Sequence, residues 1–279
     1  VSFSFPGDGL PQTELIILSV LFGLIIGSFI NVVAYRLPLM LEHQWRETDK
    51  DGHVDASASG QLSLAWPPSH CPACQTRLRP WDNIPLLSFL MLRGRCRRCG
   101  VAIGWHYPAV EALCGLAFLV LALGPATGAS LVLAMALTAA LVALAAIDFQ
   151  ARILPDAIVL PLLWLGLLAN LHGRFVPLAD GVIGAAVGYT SLWIISRLYQ
   201  FIRKRDGMGD GDLKLLAALG AWLGWRMLAP IVLISSVVAI SATVIAVWSG
   251  RRSAADALPF GTALAVAGWI CLVHVVGSA

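Results

Sequence analysis

"LVLAMALTAALVALAAI", residues 131–147, carries one hydroxyl, at Thr138, and no charge. A strand of a membrane barrel would alternate apolar and polar residues. This stretch does not alternate, and its length is what a helix needs to cross a bilayer. It reads as a membrane-spanning helix. Similar stretches bounded by Gly, Pro or charge lie on both sides of it. Together they give about eight spans, at 13–35, 107–124, 128–147, 155–171, 179–199, 212–228, 230–249 and 257–276. The composition agrees: 58% of the 279 residues are hydrophobic and 13% are charged, against about 25% charged in a soluble domain. The fold class expected is an all-α polytopic membrane protein. The lipid bilayer is its first partner, and no nucleic-acid partner is expected.

The formal net charge of +3 says less than its distribution. Nine of the 19 Lys and Arg lie between Arg36 and Arg98. The positive-inside rule therefore places the 36–106 segment in the cytoplasm. Counting spans onward, the later cytoplasmic turns hold Arg152, then Arg203, Lys204 and Arg205, then Arg251 and Arg252. The opposite turns hold Arg174 and Arg226. Nothing basic precedes Arg36, so no ordinary signal peptide is expected. The expected organisation is an N-terminal segment with the first span (1–35), a cytoplasmic domain (36–106) and a transmembrane domain (107–279). No convincing internal repeat is visible.

"CPAC" at 71–74 and "CRRC" at 96–99 place Cys71, Cys74, Cys96 and Cys99 in two knuckles. Such a pattern lets four thiolates surround one Zn²⁺. Cytoplasmic thiols stay reduced, which favours metal over disulfides. Four ligands leave no open position, so the site is expected to be structural. Disulfides or free thiols are the alternatives. Cys114 and Cys271 lie inside spans and read as small packing residues.

Ionisable residues at membrane depth are functional by default. Asp148 closes the third span and Asp212 opens the sixth, 64 positions later in sequence. The topology brings both to one depth on one side. Two carboxylates in a partly dry site share a proton, which supplies a base to activate water and an acid for a leaving amine. The glycines of "GMGDGD" (207–212) would let backbone approach a substrate strand and would tolerate positive φ. Asp212 could instead cap its helix, and Asp156 reads as a helix-start residue. A calcium loop lacks its downstream Glu, and a phosphate-binding loop lacks its GK[ST].

Several longer stretches now matter together. "GSFINVVAYRLPLML" (27–41), the 71–100 cysteine block, "YPAVE" (107–111), "IDFQARILPD" (147–156) and "GMGDGDLKLLAALGAWLGW" (207–225) occur in this order. In this the chain resembles the type IV prepilin peptidases, bifunctional leader peptidase/N-methyltransferases of the bacterial inner membrane. The resemblance implies cleavage of a basic leader from prepilins or type II secretion pseudopilins, after a glycine, on the cytoplasmic side. It implies methylation of the new N-terminal residue with S-adenosylmethionine. It also implies that the second catalytic aspartate is the one before x-Lys-Leu-Leu-Ala, hence Asp212, with Gly209, Gly211 and Lys214 in support. Asp210 falls at the variable position, and Asp148 is the first catalytic aspartate. The cysteine block is implicated in methylation, which makes Gly94 the first position to test, with Glu42 and Glu111 after it. No soluble-type methyltransferase signature is present.

The reading from another class is a multi-span ion or proton-coupled transporter with a zinc-stapled cytoplasmic domain. Its carboxylates would relay ions, but transporters show matched halves and helices broken at the midplane. Here the acids gather at one face.

Overall fold

The computed structural model describes residues 11–49, 63–71, 73–204, 209–249 and 259–278. Arg205, Gly207, Arg251 and Arg252, used above for orientation and motif, lie outside the described residues. The described fold is helical throughout. Its long helices are α1 (Gln12–Asp49), α3 (His106–Leu123), α4 (Gly128–Ala151), α5 (Asp156–Ala169), α6 (Leu178–Arg203), α7 (Asp210–Leu223), α8 (Leu228–Trp248) and α9 (Phe260–Ser278). One short helix, α2 (Leu87–Met91), lies in the connection after α1. Among the described residues, six helices are long and apolar enough to cross a membrane: α1, α3, α4, α6, α8 with the turn before it, and α9. The two other segments read as spans form α5 and α7, of 14 residues each.

The chain divides into two compact units, Gln12–Leu119 and Val120–Ala279. In the first, α1 packs on α3 through glycine. A Cβ on Gly27 would lie 2.7 Å from Glu111 Cα, and one on Gly23 2.9 Å from the Cys114 carbonyl oxygen. Cys114 is fully buried at this contact, the packing role its setting implied.

In the second unit α7 is the central element. From Leu215 to Leu223 every residue is buried, as expected of a helix apolar all round. Glycines allow neighbours to reach its backbone. A Cβ on Gly188 of α6 would lie 2.8 Å from the Leu216 carbonyl oxygen, and one on Gly181 2.9 Å from that of Ala221. On the α5 side, Gly166 faces the Trp222 indole, whose Nε1–H donates to the Leu162 carbonyl at 2.8 Å. Helix α9 packs on α4, α7 and α8. The exposed face of α8 shows Leu233, Val237, Ile240 and Val244, spaced as one helical stripe for lipid.

Candidate functional site

The four cysteines come together as their spacing required. Their sulfurs lie within 4.8 Å of one another, with Cys71 to Cys99 at 3.8 Å and Cys74 to Cys96 at 4.0 Å. A disulfide needs about 2.05 Å. A tetrahedron with metal–sulfur bonds of about 2.3 Å has edges near 3.8 Å, so the cluster can hold a metal ion. The backbone explains the convergence. In each knuckle the residue before the first cysteine bridges the residue three beyond the second: His70 to Arg77 and Arg95 to Ala102. The amides of Gln75 and Gly100 donate to the carbonyls of Cys71 and Cys96 at 2.9 and 3.0 Å. Both donors adopt positive φ, +55° and +71°. The two knuckles are thus one local design used twice, a repeat hidden in sequence because it is made by backbone. The Thr76 hydroxyl and amide draw the Cys74 thiol down to about 6. At Cys99 the Val101 amide favours the thiolate, but burial and the neighbouring thiols prevail and push it up to about 11. Crowded thiols cannot all ionise without a cation among them.

The peptidase candidates lie within the second unit. Asp148 lies in the last turn of α4 and is 5% exposed. Its Oδ2 accepts from the Thr262 amide at 2.6 Å and the Thr262 hydroxyl at 2.9 Å. Asp212 lies in the first turn of α7 and is half-buried. The two carboxylates are close enough for the charge of one to act on the other. Leu154 connects them: it fills the space beside Gly211 and beside Gly261, and Gly261 in turn lies against the Asp148 carboxylate. Asp210 is exposed.

The supporting residues have specific partners. Lys214 Nζ binds both oxygens of Asp156, at 2.8 and 2.7 Å, so the "LPD" aspartate ties α5 to the first turn of α7. Neither Gly209 nor Gly211 uses the tolerance for positive φ, and Gly207 lies outside the described residues. Gly209 is extended, at φ −72°, and a Cβ there would lie 3.9 Å from Asp212 Oδ2. Gly211 is small because a Cβ would lie 2.7 Å from Leu154 Cβ.

The first unit holds the three residues expected to serve methylation. Gly94 closes α2 at φ +68°. Its amide donates to Phe89 and its carbonyl accepts from Ile103, at 2.8 and 2.7 Å. Glu111 accepts the Leu86 amide at 2.8 Å, and Leu86 itself holds φ +57° at the start of α2. Glu42 is exposed on α1.

Four residues escaped the sequence reading. Thr262 and Gly261 of α9 contact Asp148. Arg36 is 6% exposed and donates to the carbonyls of Ser63, Leu64 and Pro67, pinning the chain that leads into the first knuckle. Asn170 is fully buried and binds the end of α7. A polar residue inside an apolar run was the available signal for Asn170; the others have none of their own.

Known proteins resemble this chain over nearly its whole length. Residues 21–124 match the bacterial peptidase A24 N-terminal domain, and residues 135–250 match the type IV leader peptidase family. A protein of Dickeya chrysanthemi named prepilin leader peptidase/N-methyltransferase is 50% identical over 256 residues, 91% of this chain and 90% of its own. Proteins of the same name are 45% identical in Pseudomonas putida, over 92% of this chain and 90% of theirs, and 42% identical in Neisseria gonorrhoeae, over 91% and 88%. No solved structure matches. Matches to both halves of the chain, in order, and identity of this extent over nine-tenths of its length show that the chain belongs to the type IV leader peptidase family.

Proposed function

We propose that this protein is an aspartic endopeptidase of the bacterial inner membrane. It removes the basic leader of type IV prepilins or type II secretion pseudopilins after a glycine and N-methylates the residue exposed. The observation that supports the peptidase reading is that Leu154 packs both against Gly211, next to Asp212, and against Gly261, which touches the Asp148 carboxylate, with the two aspartates near enough for their charges to interact. The names of the relatives support the substrate and the second activity. Nothing in these relations favours a transporter.

In this reading the pair holds one proton. The ionised carboxylate takes a proton from water as its oxygen attacks the scissile carbonyl. The protonated one donates to the developing oxyanion, and a proton then passes to the leaving amine. Asp210 stands outside this chemistry. Lys214 holds Asp156, and that pair orients the first turn of α7.

The cytoplasmic side follows from the charge distribution, as do the domain limits of 1–35, 36–106 and 107–279. Helices α5 and α7 complete a set of eight with the six longer ones. Zn²⁺ is the metal that four thiolates at these distances fit, in a structural role. S-adenosylmethionine supplies the methyl group when bound. A groove of about 360 Å³ beside the second knuckle, lined by Trp81, Leu87, Ser88, Met91 and Arg97 among others, offers an indole face for adenine; its Arg97 guanidinium is held by Asp82 at 2.7 Å. Gly94, Glu111 and Glu42 would then act on methylation through the fold around α2 and α1.

The test is cleavage of purified prepilin by the solubilised protein, with mass spectrometry of the product's N-terminus. Asp148→Asn and Asp212→Asn should each lower the rate at least a hundredfold, the lower range for a lost acid or base. Asp210→Asn should cleave normally, and Trp81→Ala should cleave without methylating. Wild-type cleavage rates in Asp212→Asn would overturn the peptidase mechanism.

A further inference from the structure

The two aspartates are held unequally. Asp148 Oδ2 receives two donors, the Thr262 amide at 2.6 Å and the Thr262 hydroxyl at 2.9 Å. Among the described residues no hydrogen-bond donor reaches the Asp212 carboxylate. The Thr262 amide belongs to the third residue of α9, one of the N-terminal amides that have no partner within a helix. Asp148 therefore caps α9 from another helix, at the end where the helix field favours negative charge. Gly261 makes the approach possible, since a Cβ there would lie 3.1 Å from both Asp148 Cγ and Oδ2.

The hydroxyl sharpens the asymmetry. Thr262 Oγ1 also lies 3.2 Å from the Ala145 carbonyl. It has one proton for two acceptors. An ionised Asp148 draws that proton to itself, in the shorter and charge-assisted bond. Donors aimed at a carboxylate favour its charged form. Among the described residues, other charges nearby do not reverse this. Burial opposes the charge on both aspartates alike, while Arg152, which caps α4 one turn beyond Asp148, favours the Asp148 anion. Asp156 of α5 is paired with Lys214 of α7, Asp210 of α7 is exposed, and the further titratable groups of α9, Cys271 and His274, lie more than two turns beyond Thr262.

We infer that Thr262 is a positioning residue that assigns the shared proton: Asp148 is held ionised as the base, with Oδ1 free of the Thr262 donors, and Asp212 carries the proton. This rests on the dyad proposed above.

The pH dependence of cleavage separates the two assignments. With Asp148 ionised in the active form, loss of the hydroxyl donor weakens both the singly and the doubly ionised pair. Only the acid limb of the kcat/KM profile then moves. With the assignment reversed, only the doubly ionised pair is weakened, and the basic limb moves instead. The variant is Thr262→Val, which keeps the shape and the amide. Its acid limb should rise by about one pH unit, with about a tenfold loss of rate on that limb, the size of one charge-assisted hydrogen bond. The basic limb should stay in place, and Thr262→Ser should restore the wild-type profile. A shift of the basic limb, or no shift of either, overturns the inference. Asp148→Asn and Asp212→Asn are run beside it: cleavage surviving in either would instead sink the dyad, a separate result.

Discussion

Asn170 is the strongest test of how the central helix is fastened. Its side chain is fully buried. Nδ2 donates to the carbonyls of Ala221 and Trp222 at 2.9 and 3.1 Å. Oδ1 accepts from the amides of Phe175 and Val176 at 3.1 and 3.2 Å. These four bonds use both donors and both lone pairs of the amide. Asn170→Leu fills nearly the same volume but leaves four main-chain groups unpaired. Two of them are carbonyls of the last turn of α7, which have no partner within the helix. At about 1 kcal/mol net for each bond, the loss should be about 4 kcal/mol. Asn170→Asp keeps the shape and turns an oxygen toward two carbonyls, so its loss should be at least as large at neutral pH. It should shrink at low pH, where a protonated carboxyl regains one donor. Equilibrium unfolding in mixed micelles, followed by tryptophan fluorescence, measures both. A loss below about 1 kcal/mol for Asn170→Leu would refute the reasoning, because water or a shifted turn would then be serving those groups.

Two further predictions concern the first unit. Protein purified from zinc-replete cells should carry one zinc per chain by elemental analysis, and Cys96→Ser should bring this below half; a metal-free wild type that folds equally well would remove the metal centre. Gly94→Ala should strain a residue held at φ +68° and press on the Phe89 ring, 3.0 Å from the added carbon, at roughly 1–2 kcal/mol. Hydrogen exchange at the end of α2 should speed up accordingly, and unchanged protection there would count against a left-handed Gly94.

The helices were legible because apolar length is a local property. Residues 131–147 announce a helix without reference to anything distant. The cysteine cluster was legible because a pair two residues apart already fixes half of a tetrahedron. Asp148 and Asp212 stood out by their cost at the edge of apolar runs. What escaped depends on contacts made far along the chain. Thr262 meets Asp148 across 114 positions, and a threonine at the start of an apolar run carries no mark of that partner. Gly211 was read as a residue that frees the backbone. It is small because Leu154 occupies the space its side chain would need, which no local pattern encodes. Segments 155–171 and 212–228 were read as long spans because apolar residues continue past the helix ends. The regular helices stop at Ala169 and Leu223; the first runs straight into a short 3₁₀ turn, and the second is broken by Gly224 at φ +78° before another such turn.

The way α7 is gripped bears on where motion can arise during turnover. Glycines of α6 bring main chain against main chain along one side, Trp222 is pinned to α5, and Asn170 holds the far end. Asp212 thus stands at the tip of a helix with little freedom to shift, while Asp148 is tied to α9. If the pair acts as proposed, carboxylates fixed in this way do not have to reorient as charge develops on the scissile carbonyl, which is the essence of electrostatic preorganisation. In the proposed mechanism the adjustment then falls on the bound peptide, which brings its bond to the fixed pair.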